Sequence, residues 1–393
     1  MLSPGSLAGN RVSLERDVGA RARRSAGVLA ARAARPLRGK QRTIRSLVAS
    51  PGGRVAWRSI PAPPTPAPDG AVVRPIASST CDIDCPVMLG ATQIPLPMHV
   101  GHECVAEVLS VGSCVGSVAP GDRVVVPFQI NCGACAPCLA GHTGSCLGVP
   151  PVSMYGFGFA GGHWGGAYAE ELAVPYADAM LVPLPAGIDP EAAVGVADNL
   201  CDAHRHIGPH LPGLLAREPD ARVLVVGMLR ERALFAPSVP LYTGLIALAL
   251  GARHVVFADA REHVREHARR LGMEAVTPRE LRGLQSFPLV ADISAERVDV
   301  ALEATAADGV CSSSGGLHRS ARLPFLHMYV RNATLHVGRT HARAVMPAVL
   351  ELMQSGALQP ERVTTRVAAL DEAPSVLREH IRDPRSVKTV LVA

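Results

Sequence analysis

Four of the chain's ten cysteines, Cys132, Cys135, Cys138 and Cys146, fall within fifteen residues and are spaced C-x2-C-x2-C-x7-C. Gly133, Pro137, Gly141 and Gly144 stand between them, turn formers that let a short loop fold back on itself. Tetrahedral zinc takes four soft thiolates from such a loop. An iron–sulfur cluster uses similar ligands, but the intervening residues favour zinc. With four protein ligands no coordination position is left for a substrate, so this metal is expected to be structural, in a lobe over about residues 131–147. Thiols used as ligands, in a chain that shows no export signal, point to a reducing compartment, with the cytoplasm the expected location.

Composition narrows the class. With 48% hydrophobic and 19% charged residues the 393-residue chain can bury a large core, and its length suggests two or three domains. No apolar run reaches the ~20 residues of a membrane span, so no membrane partner is expected. The net charge of +5 misleads, because residues 1–46 hold ten arginines and Lys40 against only Glu15 and Asp17. The rest of the chain is mildly acidic, which gives no case for a nucleic-acid-binding core. Residues 1–43 are expected to be a disordered basic extension or the product of a mis-assigned start.

From about 44 to 187 the sequence reads as short strands and turns, with Gly and Pro throughout. Cys104, Cys114 and Cys311 are expected to be core thiols in strands. Asp189-Pro190-Glu191 then predicts a helix start, with Asp as the cap and Pro in the first turn, and the helix should run to about Ile207. Strands at Arg222–Val226, His254–Ala258, Pro288–Ala291, Gly309–Ser312 and Thr334–Val337 alternate with helices at Leu241–Leu250, Arg261–Leu271, Val298–Thr305 and Ala344–Gln354. Such alternation means βαβ units and a parallel sheet. The Val- and Leu-rich end, Ser386–Ala393, could return to the first part of the chain.

Cys81 lies 21 residues before Gly101-His102-Glu103, and the four-cysteine lobe follows. Together with Pro120-Gly121-Asp122-Arg123-Val124, Gly165-Gly166-Ala167-Tyr168-Ala169-Glu170 and the βαβ half, this order and spacing resembles the zinc-dependent medium-chain alcohol dehydrogenase family over about residues 45–393. The resemblance implies an α/β protein: a GroES-like irregular β catalytic domain over 44–187 plus 340–393, and a doubly wound Rossmann cofactor domain over 188–339. It also implies two zinc ions, one structural and one catalytic, the second held by Cys81, His102 and a third ligand near the cofactor domain. Within Val196–Asp202 the choice is Asp198, with Cys201 and Asp202 as rivals; Cys85 is the rival of Cys81. Glu103 would lie close to the metal, and Asp84 matches the carboxylate that orients the histidine.

An open zinc position polarises the oxygen of an alcohol or carbonyl, and a nicotinamide carries the hydride. The resemblance therefore implies an oxidoreductase interconverting a small alcohol with its aldehyde or ketone using NAD(P), built as a homodimer or homotetramer. The alternative is a non-catalytic zinc-binding relic; a reductase of activated double bonds is a third reading. Two departures from the family pattern bear on the choice. Ile83 and Pro86 stand where the family carries a proton-passing hydroxyl and a relay histidine. The dinucleotide loop begins on Gly227, but Met228 to Ala236 replaces its glycine-rich continuation, and Pro240 stands at the third glycine position. Ser238 lies where the family pattern resumes, and Arg230 or Arg232 could contact phosphate instead. Asp259, at the end of the second strand, is expected to bind the adenosine ribose, favouring NAD over NADP; the neighbouring Arg261 belongs to the same candidate cofactor set and pulls the other way.

Overall fold

The computed structural model describes residues 42–294, 296–315 and 321–393. The basic extension expected over 1–43 lies outside the described residues except for its last two positions.

Short apolar runs broken by Gly and Pro make extended structure in the first half. Strands β1 (Thr43–Ser50) and β2 (Arg54–Pro61) form a hairpin, and β4 (Met98–His99) adds to β1, giving a three-stranded antiparallel sheet. A seven-stranded sheet is built from β3 (Ala71–Ser79), β5 (Glu103–Val111), β6 (Arg123–Val126), β7 (Leu172–Val174), β8 (Val182–Pro183), β15 (Arg366–Ala369) and β16 (Thr389–Val392). The end of the chain does return: β16 runs antiparallel to β3, pairing Val390 with Ser79. This pairing carries Lys388 to the backbone of Thr80, just ahead of Cys81.

Six parallel strands form the second half: β9 (Arg222–Val226), β10 (His254–Ala258), β11 (Glu274–Val276), β12 (Phe287–Asp292), β13 (Thr305–Ser313) and β14 (Thr334–Val337). Their order is β11–β10–β9–β12–β13–β14, the doubly wound arrangement. Val223 to Val226 are fully buried, as expected of a central parallel strand covered on both faces. Helices Ser238–Ala249, Glu262–Arg270 and Val298–Glu303 lie between successive strands of this sheet. The strand order reverses between β9 and β12, and the crevice at their carboxyl ends is where such sheets bind ligands.

Several elements differ from expectation. The helix predicted from Asp189 to Ile207 is broken: a turn at Pro190–Ala193 and a 3-10 segment Val194–Ala197 precede a separate helix Asn199–Ile207. Asp189 does cap the start, accepting the Glu191 N–H at 3.0 Å. The break falls at Asp198 (φ −150°, ψ −75°), whose extended φ takes it out of the helical path. Helix Ser238–Ala249 starts earlier than predicted and includes Pro240, which is tolerated in a first turn because its missing N–H has no intrahelical partner there. The helix read to Thr305 stops at Glu303, and Thr305 opens β13. Cys104 and Cys311 are buried in β5 and β13, but Cys114 is exposed in a turn rather than in the core.

Candidate functional site

Cys81 follows the end of β3 and opens the turn before a short helix, Asp84–Met88. The Asp84 carboxylate accepts the Cys81 N–H at 2.9 Å, which fixes that turn. His102 immediately precedes β5, after Gly101, which has φ +91° and packs so closely on Tyr168 that a Cβ would lie 2.7 Å from its ring and backbone. Only glycine meets both conditions. Asp198 arrives from the helix break.

These three residues come from distant parts of the chain, yet one ligand atom of each lies within 4.8 Å of the others, and all three are buried. Asp198 Oδ2 lies 3.3 Å from Cys81 Sγ and 3.2 Å from His102 Nε2. Neither ring nitrogen of His102 has a hydrogen-bond partner of good geometry among the described residues, although the ring is 2% exposed. Its Nδ1 is 3.9 Å from Asp84 Oδ1, beyond hydrogen-bond length. The rivals are committed elsewhere: Cys201 donates to the Val196 carbonyl at 3.0 Å, and Asp202 pairs with Arg205 at 2.6 Å. Burial presses the Cys85 thiol up to about 12.

The electrostatics of this cluster call for a cation. Burial, reinforced by Asp198, Asp84 and Glu103, pushes the Cys81 thiol far above its ordinary range. Burial alone would hold the His102 ring neutral, but Asp198, Asp84 and Glu103 outweigh it and lift the ring to about 9. Orphaned imidazole nitrogens facing a thiol and a carboxylate are the donor set that zinc takes in open sites. The residues fit the metal.

Glu103 sits behind this cluster, fully buried. It accepts from Lys388 Nζ, from the Ser79 hydroxyl at 2.5 Å and from the Asn199 N–H at 2.8 Å. Lys388 spends its other protons on the Thr80 carbonyl and on Asn199 Oδ1, both at 2.5 Å. The Asn199 amide in turn donates to Cys81 Sγ at 3.1 Å. Sequence reasoning singled out neither Lys388 nor Asn199. Lys388 did carry a signal, being one of two lysines in a chain of 37 arginines.

The second cluster is the four-cysteine loop. One sulfur from each of Cys132, Cys135, Cys138 and Cys146 lies within 4.8 Å of the rest. Backbone amides point inward at them: Leu147 N–H donates to Cys135 Sγ, and the Cys132 and Gly148 N–H groups donate to Cys146 Sγ, each at 3.3 Å. The Leu147 amide is the main reason the Cys135 thiol falls to about 6, so a thiolate is readily formed there. Gly148 packs against this loop, since a Cβ on it would lie 2.7 Å from Cys132 Sγ.

The crevice residues are placed differently from expectation. Gly227 directly follows β9, and Asp259 directly follows β10. The Asp259 carboxylate is fully buried and already accepts four hydrogen bonds: from Met228 N–H at 2.9 Å, and from the Arg261 backbone at 2.9 Å, Nε at 3.0 Å and Nη2 at 2.9 Å. Arg261 also bonds the Phe235 carbonyl at 2.8 Å, drawing the inserted loop over the strand ends. Arg230 and Arg232 in that loop are exposed. Ser238, the first residue of its helix, bonds Asp82, a residue with no role in the sequence reading. Burial lifts the Asp82 carboxyl to about 7 even though Ser238, Val239 and Lys388 pull it down.

Comparison with known proteins agrees with this geometry. Residues 67–186 match the model of the alcohol dehydrogenase GroES-like domain. The chain is similar to glutathione-independent formaldehyde dehydrogenase of Pseudomonas aeruginosa, 33% identical over 56% of this chain and 55% of that one. It is also similar to L-threonine 3-dehydrogenase of Coxiella burnetii, 31% identical over 54% of this chain and 56% of that one. The chain thus spans about half the length of both relatives. Among solved structures, the alcohol dehydrogenase TADH from Thermus sp. ATN1 superposes with a TM-score of 0.77 at 29% identity, covering 88% of this chain and 99% of that one.

Proposed function

We propose that the chain is a member of the medium-chain alcohol dehydrogenase family and that it interconverts an alcohol and an aldehyde or ketone by hydride exchange with a nicotinamide dinucleotide. The observation that carries the reading is the buried meeting of Cys81, His102 and Asp198, in which His102 Nε2 lies 3.2 Å from Asp198 Oδ2 and neither imidazole nitrogen makes a hydrogen bond of good geometry. Those residues would hold a catalytic zinc, and Cys132, Cys135, Cys138 and Cys146 a structural one. Bound at these positions, zinc supplies an electrophile for the substrate oxygen and the nicotinamide supplies or takes the hydride.

The protein's own part is to position and to balance charge. Asp84 holds the Cys81 backbone, and the Asn199 amide donates to the Cys81 sulfur, a contact that would favour the thiolate a bound zinc requires. Lys388 neutralises Glu103, so the negative cluster stays compact. In this reading residues 44–187 with 340–393 form the catalytic domain and 188–339 the cofactor domain, acting in the cytoplasm. Among the described residues no helix is long and apolar enough to cross a membrane.

The doubly wound sheet offers a dinucleotide the crevice between β9 and β12; a preference for NAD over NADP would need Asp259 to exchange its bonds to Met228 and Arg261 for the ribose hydroxyls. The cradle within that crevice does not yet fit one, because its donors are bonded to Asp82 and Asp259. A homo-oligomer is supported by the outer face of helix Phe325–Arg331, where Phe325, Leu326, Tyr329 and Val330 are more than two-thirds exposed beside the edge strand β14. Light scattering on a Tyr329→Glu variant should read a smaller assembly than the parent.

The deciding experiment is steady-state assay of the zinc-loaded protein at 340 nm, with NAD and NADP, against a panel of small alcohols and aldehydes. Turnover that disappears in His102→Ala is the expected result. No turnover with any pair, at full zinc content, would refute the proposal.

A further inference from the structure

A helix N-terminus at the strand-order reversal of a doubly wound sheet is the position where such folds hold the pyrophosphate of a dinucleotide. Here that helix is Ser238–Ala249, and its first amides are not available. Asp82 Oδ1 accepts the Ser238 N–H at 2.9 Å and the Ser238 hydroxyl, and Asp82 Oδ2 accepts the Val239 N–H at 2.9 Å. The next residue is Pro240, which has no N–H to offer. Asp82 is 9% exposed, so it is a built part of the interior and not a surface side chain resting there.

A second set of contacts closes the same region from the other side. The Asp259 carboxylate lies so near the turn glycine that a Cβ on Gly227 would be 2.4 Å from its Oδ2, and the bonds from Met228 and Arg261 use both of its oxygens. The Asp82 backbone carbonyl accepts the Ala236 N–H at 3.3 Å, stitching the inserted loop to the same residue. The amide groups that would face a bound pyrophosphate are therefore satisfied by the protein's own carboxylates.

We propose that Asp82 is an internal occupant of the pyrophosphate position and that its carboxylate sets the affinity of this protein for dinucleotides. The proposal rests on the dehydrogenase reading above. A phosphate cannot take the Ser238 and Val239 amides until the Asp82 carboxylate leaves them, and a carboxylate that stays nearby repels the doubly charged ligand. Asp82 directly follows Cys81, so the carboxylate that must withdraw adjoins a proposed zinc ligand. Asn199 adjoins both groups, since its Oδ1, which accepts from Lys388, lies 3.2 Å from the Ser238 hydroxyl oxygen and its amide donates to Cys81 Sγ.

The test is calorimetric titration of the zinc-loaded full chain with ADP-ribose, which carries the pyrophosphate but no nicotinamide. Parent, Asp82→Asn and Asp82→Ser proteins are compared, both replacements keeping an oxygen that can cap the helix. Zinc content and thermal melting verify that each variant is folded. The expected result is at least ten-fold tighter ADP-ribose binding in both variants than in the parent. Equal affinity in all three folded proteins, or tighter binding by the parent, leaves the dehydrogenase reading standing and overturns the role given to Asp82. No binding by any of the three, at full zinc content, overturns the dinucleotide reading and this inference with it.

Discussion

Replacing Lys388 by Met should destabilise the fold more than any exposed-charge substitution in the chain. Lys388 and Glu103 are both fully buried, and each of the three ammonium protons has a partner: Glu103, Asn199 and Thr80. Methionine has a similar volume and packs well, so the loss is electrostatic rather than a cavity. It leaves Glu103 in the interior with only the Ser79 hydroxyl and the Asn199 N–H as donors. Breaking a buried pair from one side costs about 3–5 kcal/mol, whereas removing both charges together costs far less. Against a total stability of about 5–15 kcal/mol, the single variant should lose at least about a fifth of the fold's margin. Equilibrium urea unfolding of the parent, Lys388→Met, Glu103→Gln and the double variant gives the coupling directly. We expect the double variant to be more stable than Lys388→Met, with a coupling of at least about 1 kcal/mol. A Lys388→Met protein within about 1 kcal/mol of the parent, or a strictly additive cycle, would refute the argument.

Three further outcomes are expected. Elemental analysis should find two zinc ions in the parent, one after His102→Ala and one after Cys135→Ser, because the two clusters share no ligand. Gly148→Ala should speed chelator release of the four-cysteine metal at least ten-fold while leaving the other site filled, since its Cβ would sit 2.7 Å from Cys132 Sγ. Stability should fall in acid through His206, which burial holds near a pKa of about 3 while its ring bonds Ser312. Its folded value lies below its unfolded one, so the unfolded chain takes the proton first, and stability present above pH 6.5 drains away as the pH falls toward 3. The slope from this one group is about 1.4 kcal/mol per pH unit, and urea midpoints between pH 7 and 4.5 should drop less steeply in His206→Asn.

What could be read in advance was whatever depends on local spacing. The four cysteines are neighbours in the chain, so their loop was legible as one unit, and the α/β class followed from strands and helices alternating after residue 187. The grouping of Cys81, His102 and Asp198 needed more, because the spacing ranks candidates but does not bring them together. The break that separates Asp198 from its neighbouring helix has no proline or glycine at the residue itself, so a capped helix start looked continuous. Lys388 reaches the site only because β16 pairs with β3, a contact 308 residues apart in sequence between Lys388 and Thr80.

Asp82 shows a different kind of blindness. Its neighbours Cys81 and Asp84 drew attention because their types match a ligand and its support, whereas an aspartate between them has no pattern to announce it. The loop starting at Met228 was legible only as a loss, glycines missing where a phosphate should approach. Folding turns that loss into a structure with its own logic. Once the helix begins at Ser238 with a proline at its third position, two buried amides remain, and buried amides must be paired. A ligand that comes and goes cannot be their permanent partner in a loop that lacks glycine to admit it, and Asp82 is the acceptor that the β3 connection delivers. If Asp82 occupies the pyrophosphate position as proposed, the loop and the aspartate beside Cys81 act together, and placing glycine in the loop alone should not raise dinucleotide affinity while Asp82 remains. Titrating ADP-ribose into a Pro240→Gly protein, with and without Asp82→Asn, separates the two: a full gain from Pro240→Gly alone would mean the loop, and not the carboxylate, governs access.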